Sequence, residues 1–169
     1  MKLSKELARQ AKAKGICTPW HNELQNLQNK EAMVEMYLKG IDFCLANDYP
    51  QNDFIREHFK GVMEKQGVFL DDDIKVENMP KCVCLGKTCG RIEVKGYEVC
   101  EIFVKHNSEL NVVAKDNAFV MIDIYDDAVI SVYASDRAKV CVNHHGGSVN
   151  RYSTNDAVIK IREKYKKTY

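Results

Sequence analysis

Seven cysteines punctuate the chain, and four of them, Cys82, Cys84, Cys89 and Cys100, follow one another as C-x-C-x4-C-x10-C. A structural zinc site builds its tetrahedron from short C-x-x-C-type knuckles. This spacing supplies no regular pair, and Cys82 and Cys84 alternate with Val83 and Leu85 as strand residues do. Buried, reduced thiols are therefore expected, with no bound metal and no cofactor. His144-His145-Gly146-Gly147 is the most chemical-looking run. Successive strand residues point to opposite faces, so the two imidazoles cannot share a metal without a turn. The reading is a strand end with two half-exposed rings. Asp71-Asp72-Asp73 lacks the loop that would complete a calcium shell and reads as a solvated turn. Asp116, Asp126 and Asp136 recur at one offset. A stacked carboxylate row would repel itself, so alternation between two edges and Asx turns are expected instead.

Other combinations carry less. Gly86-Lys87-Thr88 resembles the end of a phosphate loop but has no upstream glycine at the required spacing. Trp20 beside His21 and Cys17 reads as core, and Cys44 and His58 fall on separate helical stripes. No nucleophile elbow, dinucleotide fingerprint or H-E-x-x-H motif occurs. No catalytic residue is assigned, and the chain is not expected to be an enzyme.

The elements that would position any site divide the chain in two. Residues 1–67 read as a small helical bundle. Leu3, Leu7, Ala8 and Ala11 recur at helical spacing before Gly15, and Thr18-Pro19-Trp20 restarts a helix with Thr18 as N-cap. Met33, Met36, Tyr37, Gly40, Ile41, Cys44 and Leu45 form one stripe over residues 29–46. Asn47-Asp48-Tyr49-Pro50 breaks it, and a further helix carries Phe54, Ile55, Phe59, Val62 and Met63 inward. Residues 68–97 form a transitional segment with short strands at Val68-Phe69-Leu70 and over 81–85.

From residue 98 to 169 the sequence repeats every ten residues. Small residues open the units at Ser108, Ala118, Ala128, Ala138 and Ser148, and at Ala157 after a one-residue deletion. Apolar residues follow two positions later (Leu110, Val120, Ile130, Val140, Ile159) and four positions later (Val112, Ile122, Val132, Val142, Tyr152, Ile161). Asn150 is an exception, sitting where a Leu or Val is expected. Turn pairs rich in Asn, Asp and Gly precede each opening residue. One register recurring at a constant period is the mark of stacked coils. The fold class expected is α+β, a helical bundle followed by a flattened β-solenoid of about twenty residues per coil. A β-meander or sandwich is the alternative.

The residues left on the outside are more apolar than a solvated face needs. If alternate units form opposite sheets, Phe119, Met121, Tyr125 and Cys141 share one face while Val113, Val129 and Tyr133 share the other. The helical half can cover only one of them, which argues for an oligomer or a partner contact. Phe119, Met121, Tyr125, Val129, Tyr133, Arg137 and His145 are the candidate partner- or ligand-binding residues. With 25 Lys+Arg against 24 Asp+Glu, the near-neutral chain is not expected to be a general nucleic-acid binder. Its N-terminus shows no apolar signal core, and no window is long and apolar enough to span a membrane.

The run Lys14-Gly15-Ile16-Cys17-Thr18-Pro19-Trp20 carries a resemblance, with Tyr37-Leu38-Lys39-Gly40-Ile41-Asp42-Phe43-Cys44, Asn47-Asp48-Tyr49-Pro50 and the Ala118 and Ala138 units. Together they resemble a family of small uncharacterised proteins of gut-bacterial phages and mobile elements. The ten-residue units also resemble adhesin-head and polymer-forming β-solenoids. The resemblance brings no known activity and no functional residues. Joined to the apolar outer faces it gives the expectation of a non-enzymatic phage or mobile-element interaction or assembly protein acting through the solenoid face, host-cytoplasmic or virion-associated, homo-oligomeric or bound to a phage or host protein. A protein that sequesters a nucleotide or other small molecule to blunt host defence is the rival. In that case aromatic and basic residues such as Tyr125, Tyr133, Arg137 and Arg151 would converge between subunits.

Overall fold

Helices begin where the sequence offers a start, as the computed structural model, which describes residues 2–164, makes plain. It divides into two units, whose described parts are residues 2–66 and 67–164. In the first, α1 (Leu3–Ala13) buries Leu7, Ala8 and Ala11. The second helix, α2 (Thr18–Asn26), starts one residue earlier than expected: Cys17 is the cap and Thr18 is already helical. The single stripe over 29–46 is two helices, α3 (Lys30–Lys39) and α4 (Ile41–Asn47). They meet at Gly40, where an added Cβ would stand 3.0 Å from the Trp20 ring. The absent side chain thus seats the half-buried indole. Asn29 caps α3 by accepting the Ala32 N–H at 2.8 Å. After α5 (Asn52–His58) a 3-10 turn, Met63–Gln66, ends the unit. Buried Tyr49 ties it together, its hydroxyl donating to the Leu7 carbonyl at 2.8 Å.

The second unit is a parallel β-solenoid of about five turns. Its strands are β1 (Val68–Leu70), β2 (Asp73–Glu77), β3 (Lys81–Leu85), β4 (Cys89–Val94), β5 (Val99–Val104), β6 (Glu109–Ala114), β7 (Phe119–Ile124), β8 (Val129–Ala134), β9 (Lys139–His144), β10 (Ser148–Ser153) and β11 (Val158–Glu163). Odd strands stack as one sheet in the order β1-β3-β5-β7-β9-β11, and even strands as the other, β2-β4-β6-β8-β10. Each described strand pairs in parallel with the strand one coil away. Ile102 sits beside Ile122, and Ile122 beside Val142, so a coil takes twenty residues. Period-2 alternation sends these columns between the sheets, where Ile92, Ile102, Val112, Ile122, Val132 and Val142 are fully buried.

The solenoid starts earlier than the repeat suggests. Residues 68–97 are no separate transitional segment, because β1 to β4 lie in the same two sheets. The first coil is short, pairing Val68 with Val83 and Asp73 with Cys89, so the ten-residue phase does not reach it.

The deletion near the end is also placed differently. It falls in the turn 145–147, before Ser148 rather than before Ala157, so Ser148 pairs with Val129 and Asn150 with Ser131. Asn150 is therefore no exception. It belongs to an outward row, and Tyr152, expected inward, lies outside beside Tyr133. Gly147 takes the corner position that Ala128 holds one coil earlier. Its φ is 76°, and a Cβ there would come within 2.2 Å of the Ala128 carbonyl oxygen.

The recurring turn residues work between coils. His106, Asp116, Asp126, Asp136 and Asn155 all adopt left-handed backbone angles, φ 55° to 62°. Asp116 accepts the Gly96 N–H at 2.9 Å, Asp136 the Asp116 N–H at 3.1 Å, and Asp126 the His106 N–H at 3.3 Å. Asp116 and Asp136 thus share one corner while Asp126 stands at the other, each carboxylate bonded to the coil before it. Asp71 reaches the opposite way, accepting the Lys87 N–H of the following coil at 2.8 Å. Asp116→Ala removes an acceptor and places a Cβ without a polar group in the left-handed region. It should cost about 1–2 kcal/mol. In urea denaturation, Asp116→Asn should stay near the parent and Asp116→Gly should fall between the two.

Candidate functional site

Strand alternation decides where the candidate residues go. Phe119, Met121 and Asp123 point out of β7, and Lys139, Cys141 and Asn143 stand beside them on β9. The two strands continue in step through Tyr125 and His145, whose backbone N–H groups bond Val104 O at 2.9 Å and Ile124 O at 3.0 Å. That register lays the Tyr125 ring on the His145 imidazole, centroids 4.5 Å apart and planes 13° from parallel. On the other sheet Val129 and Tyr133 point out of β8, and Tyr133 stacks on Tyr152 at 5.0 Å and 12°. Arg137 lies in the exposed turn after β8. The seven candidates therefore form no single site. Phe119, Met121, Tyr125 and His145 belong to one sheet, Val129 and Tyr133 to the other. Tyr125 and Tyr133 do not converge within one chain.

Around Tyr125 and His145 the structure gathers residues that single-residue patterns did not reveal. Asp123 Oδ1 lies 3.0 Å from His145 Nε2, with side-chain exposures of 7% and 2%. Lys105 Nζ lies 5.5 Å from the Tyr125 centroid and 3.7 Å from Asp126. Asn143 is buried in the same region, and its Oδ1 has no partner among the described residues. The His145 ring is thus enclosed, not half-exposed, because an aromatic face and a carboxylate hold it. His144 points the other way, in line with Ile124. Twenty-residue spacing was the available signal: Lys105, Tyr125 and His145 form one row, and Phe103, Asp123 and Asn143 the next.

Electrostatically this is a layered stack, cation over ring over imidazole beside carboxylate. A buried charge is tolerated only when paired. The Asp123–His145 contact and the stacked rings tie the turn between β9 and β10 to the preceding coil.

The buried thiols are chemically quiet, whereas Cys17 is exposed and so, against expectation, is Cys89, at the start of β4. Cys82, Cys84 and Cys100 are fully buried between the sheets, and Cys100 hydrogen-bonds with Cys82, which together with burial pushes its thiol up. Burial also pushes the Cys44 thiol up to about 12, while His58 rests on Phe54 and Glu57. Among the described residues no three His, Cys, Asp or Glu side chains are grouped to hold a metal ion. No helix among them is long and apolar enough to cross a membrane.

Comparison of the chain with protein-family models, curated proteins and solved structures finds no match. The fold defines the class, an α+β protein with a parallel β-solenoid.

Removing one member of the buried pair should be costly. Asp123→Ala should destabilise the protein by about 3 kcal/mol, and Asp123→Asn, which keeps a hydrogen-bonding oxygen, by less. Thermal denaturation followed by circular dichroism at pH 7 measures the difference.

Proposed function

We propose that the chain is a non-enzymatic interaction protein that assembles through the outer faces of its solenoid, with a second copy of itself as the first partner. The observation that carries this reading is the alignment of exposed apolar side chains in register. On the odd-strand sheet Val99 and Phe119 are 56% and 40% exposed and adjacent in one row, which Lys139 then separates from Val158, 53% exposed. On the even-strand sheet Tyr133 and Tyr152 are 43% and 55% exposed and stacked. Scattered surface hydrophobics need no explanation, whereas contiguous rows on a flat sheet mark a contact surface. The resemblance of residues 14–20, 37–44 and 47–50 to phage and mobile-element proteins supplies the setting for this reading and no activity of its own.

Light scattering coupled to size-exclusion chromatography should give a mass above that of one chain. The Tyr133→Ser, Tyr152→Ser double variant should shift that mass toward the monomer while leaving the circular dichroism spectrum unchanged. A parent protein that stays monomeric at all concentrations overturns self-association.

A further inference from the structure

We infer that the last coil of the solenoid is held by a proton-dependent latch: His144, as an imidazolium, donates from both ring nitrogens, to Glu163 on β11 and to the Gly147 carbonyl at the entry to β10. His144 Nδ1 lies 2.9 and 3.0 Å from the two Glu163 oxygens, and Nε2 lies 2.8 Å from the Gly147 oxygen. Carboxylate and carbonyl oxygens only accept. A neutral imidazole carries one N–H, so it can satisfy one of these contacts and must oppose the other with a lone pair. Turning the ring over would replace nitrogens with carbons at both contacts. Only the doubly protonated ring fits both partners.

Position makes the latch consequential. Among the described residues β11 pairs only with β9, and β10 only with β8. Each is held from one side, and the apolar residues of this coil, Val149, Ile159 and Ile161, are only partly buried. His144 links both strands of the coil to β9. The short turn 145–147 is what brings the Gly147 carbonyl back onto the ring.

Among the described residues Lys164 also meets His144, its backbone N–H donating to the His144 carbonyl at 2.9 Å, and on β10 Arg151 stands in the inward register beside Val132. From β11 the facing group is Glu163, while Arg162 alternates to the opposite side beside Asn143. From β7 the neighbour in the column is the apolar Ile124. Asp123 is engaged with His145 on the other face. From the turn only the Gly147 carbonyl approaches. The bond to Glu163, then the bond to Gly147, holds the His144 pKa above its ordinary 6.5. A group raised on folding stabilises fully below its unfolded pKa and loses that contribution as pH rises through the folded value. The latch is therefore closed in mild acid and opens toward alkaline pH. Salt weakens the Glu163 arm, since that carboxylate is largely exposed.

The test uses the full chain and does not depend on self-association. Amide protection in β11, corrected for intrinsic exchange at each pH, should fall as pH rises from about 6.5 through the folded His144 pKa. The fall should be about tenfold for each unit by which the folded His144 pKa exceeds the unfolded one. Proton NMR should show His144 titrating above 6.5, and Glu163→Gln should move its midpoint down. His144→Asn should abolish the pH dependence of β11 protection. A His144 midpoint at or below 6.5, protection independent of pH, or pH dependence persisting in His144→Asn would each overturn the latch. Should His144→Asn fail to fold, the shift in Glu163→Gln decides.

Discussion

Parallel strands stacked coil upon coil stay paired only while each inward face meets an inward face, and where a coil departs from twenty residues a turn must absorb the difference. A coil of twenty residues places Ile102 beside Ile122 and Ile122 beside Val142. Each fully buried branched side chain contributes about 1.5–3 kcal/mol of transfer free energy. A slip of one residue would turn every such side chain out to solvent. The corners hold the count by a second device. Left-handed Asp and His residues bond the backbone of the coil before, so turn and strand share one register.

Where the count changes, polar chemistry appears. The turn 145–147 is one residue shorter than its predecessors, a shortening that needs Gly147 in a conformation and a space closed to any side chain. Immediately before it, His144 occupies a column that holds Val104 and Ile124 in earlier coils. His145 leaves the core and stacks on Tyr125. The outer row Val83, Phe103, Asp123, Asn143 shifts from apolar to polar along the same axis. The solenoid is apolar and repetitive at its start and polar and individual at its end.

The outer faces follow a different rule from the core. Core columns are filled by whatever apolar side chain fits, while the outer rows carry exposed side chains in register, Tyr133 on Tyr152 and Val99 beside Phe119. Terminal repeats of a solenoid ordinarily present a polar face. Here β10 and β11 bring Arg151, Lys160 and Arg162 to that end, Lys160 and Arg162 in the outward rows beside Cys141 and Asn143.

The alternation of apolar residues at period two, the ten-residue spacing and the Asn/Asp turn pairs are local facts, and from them the coil length, the two sheets and the inward columns could be read from residue 98 onward. So could the division of Phe119 and Met121 from Val129 and Tyr133. The short first coil could not, since pairing Val68 with Val83 breaks the period that made the rest visible. Nor could the position of the deletion: a missing residue anywhere between Ala138 and Ala157 restores the phase afterwards, and only backbone pairing shows that Gly147 absorbs it and sends Tyr152 outward. The polar cluster was hidden for a related reason. Lys105 and Asp123 are unremarkable in the chain, and join Tyr125 and His145 in a buried stack only when coils twenty residues apart are laid side by side.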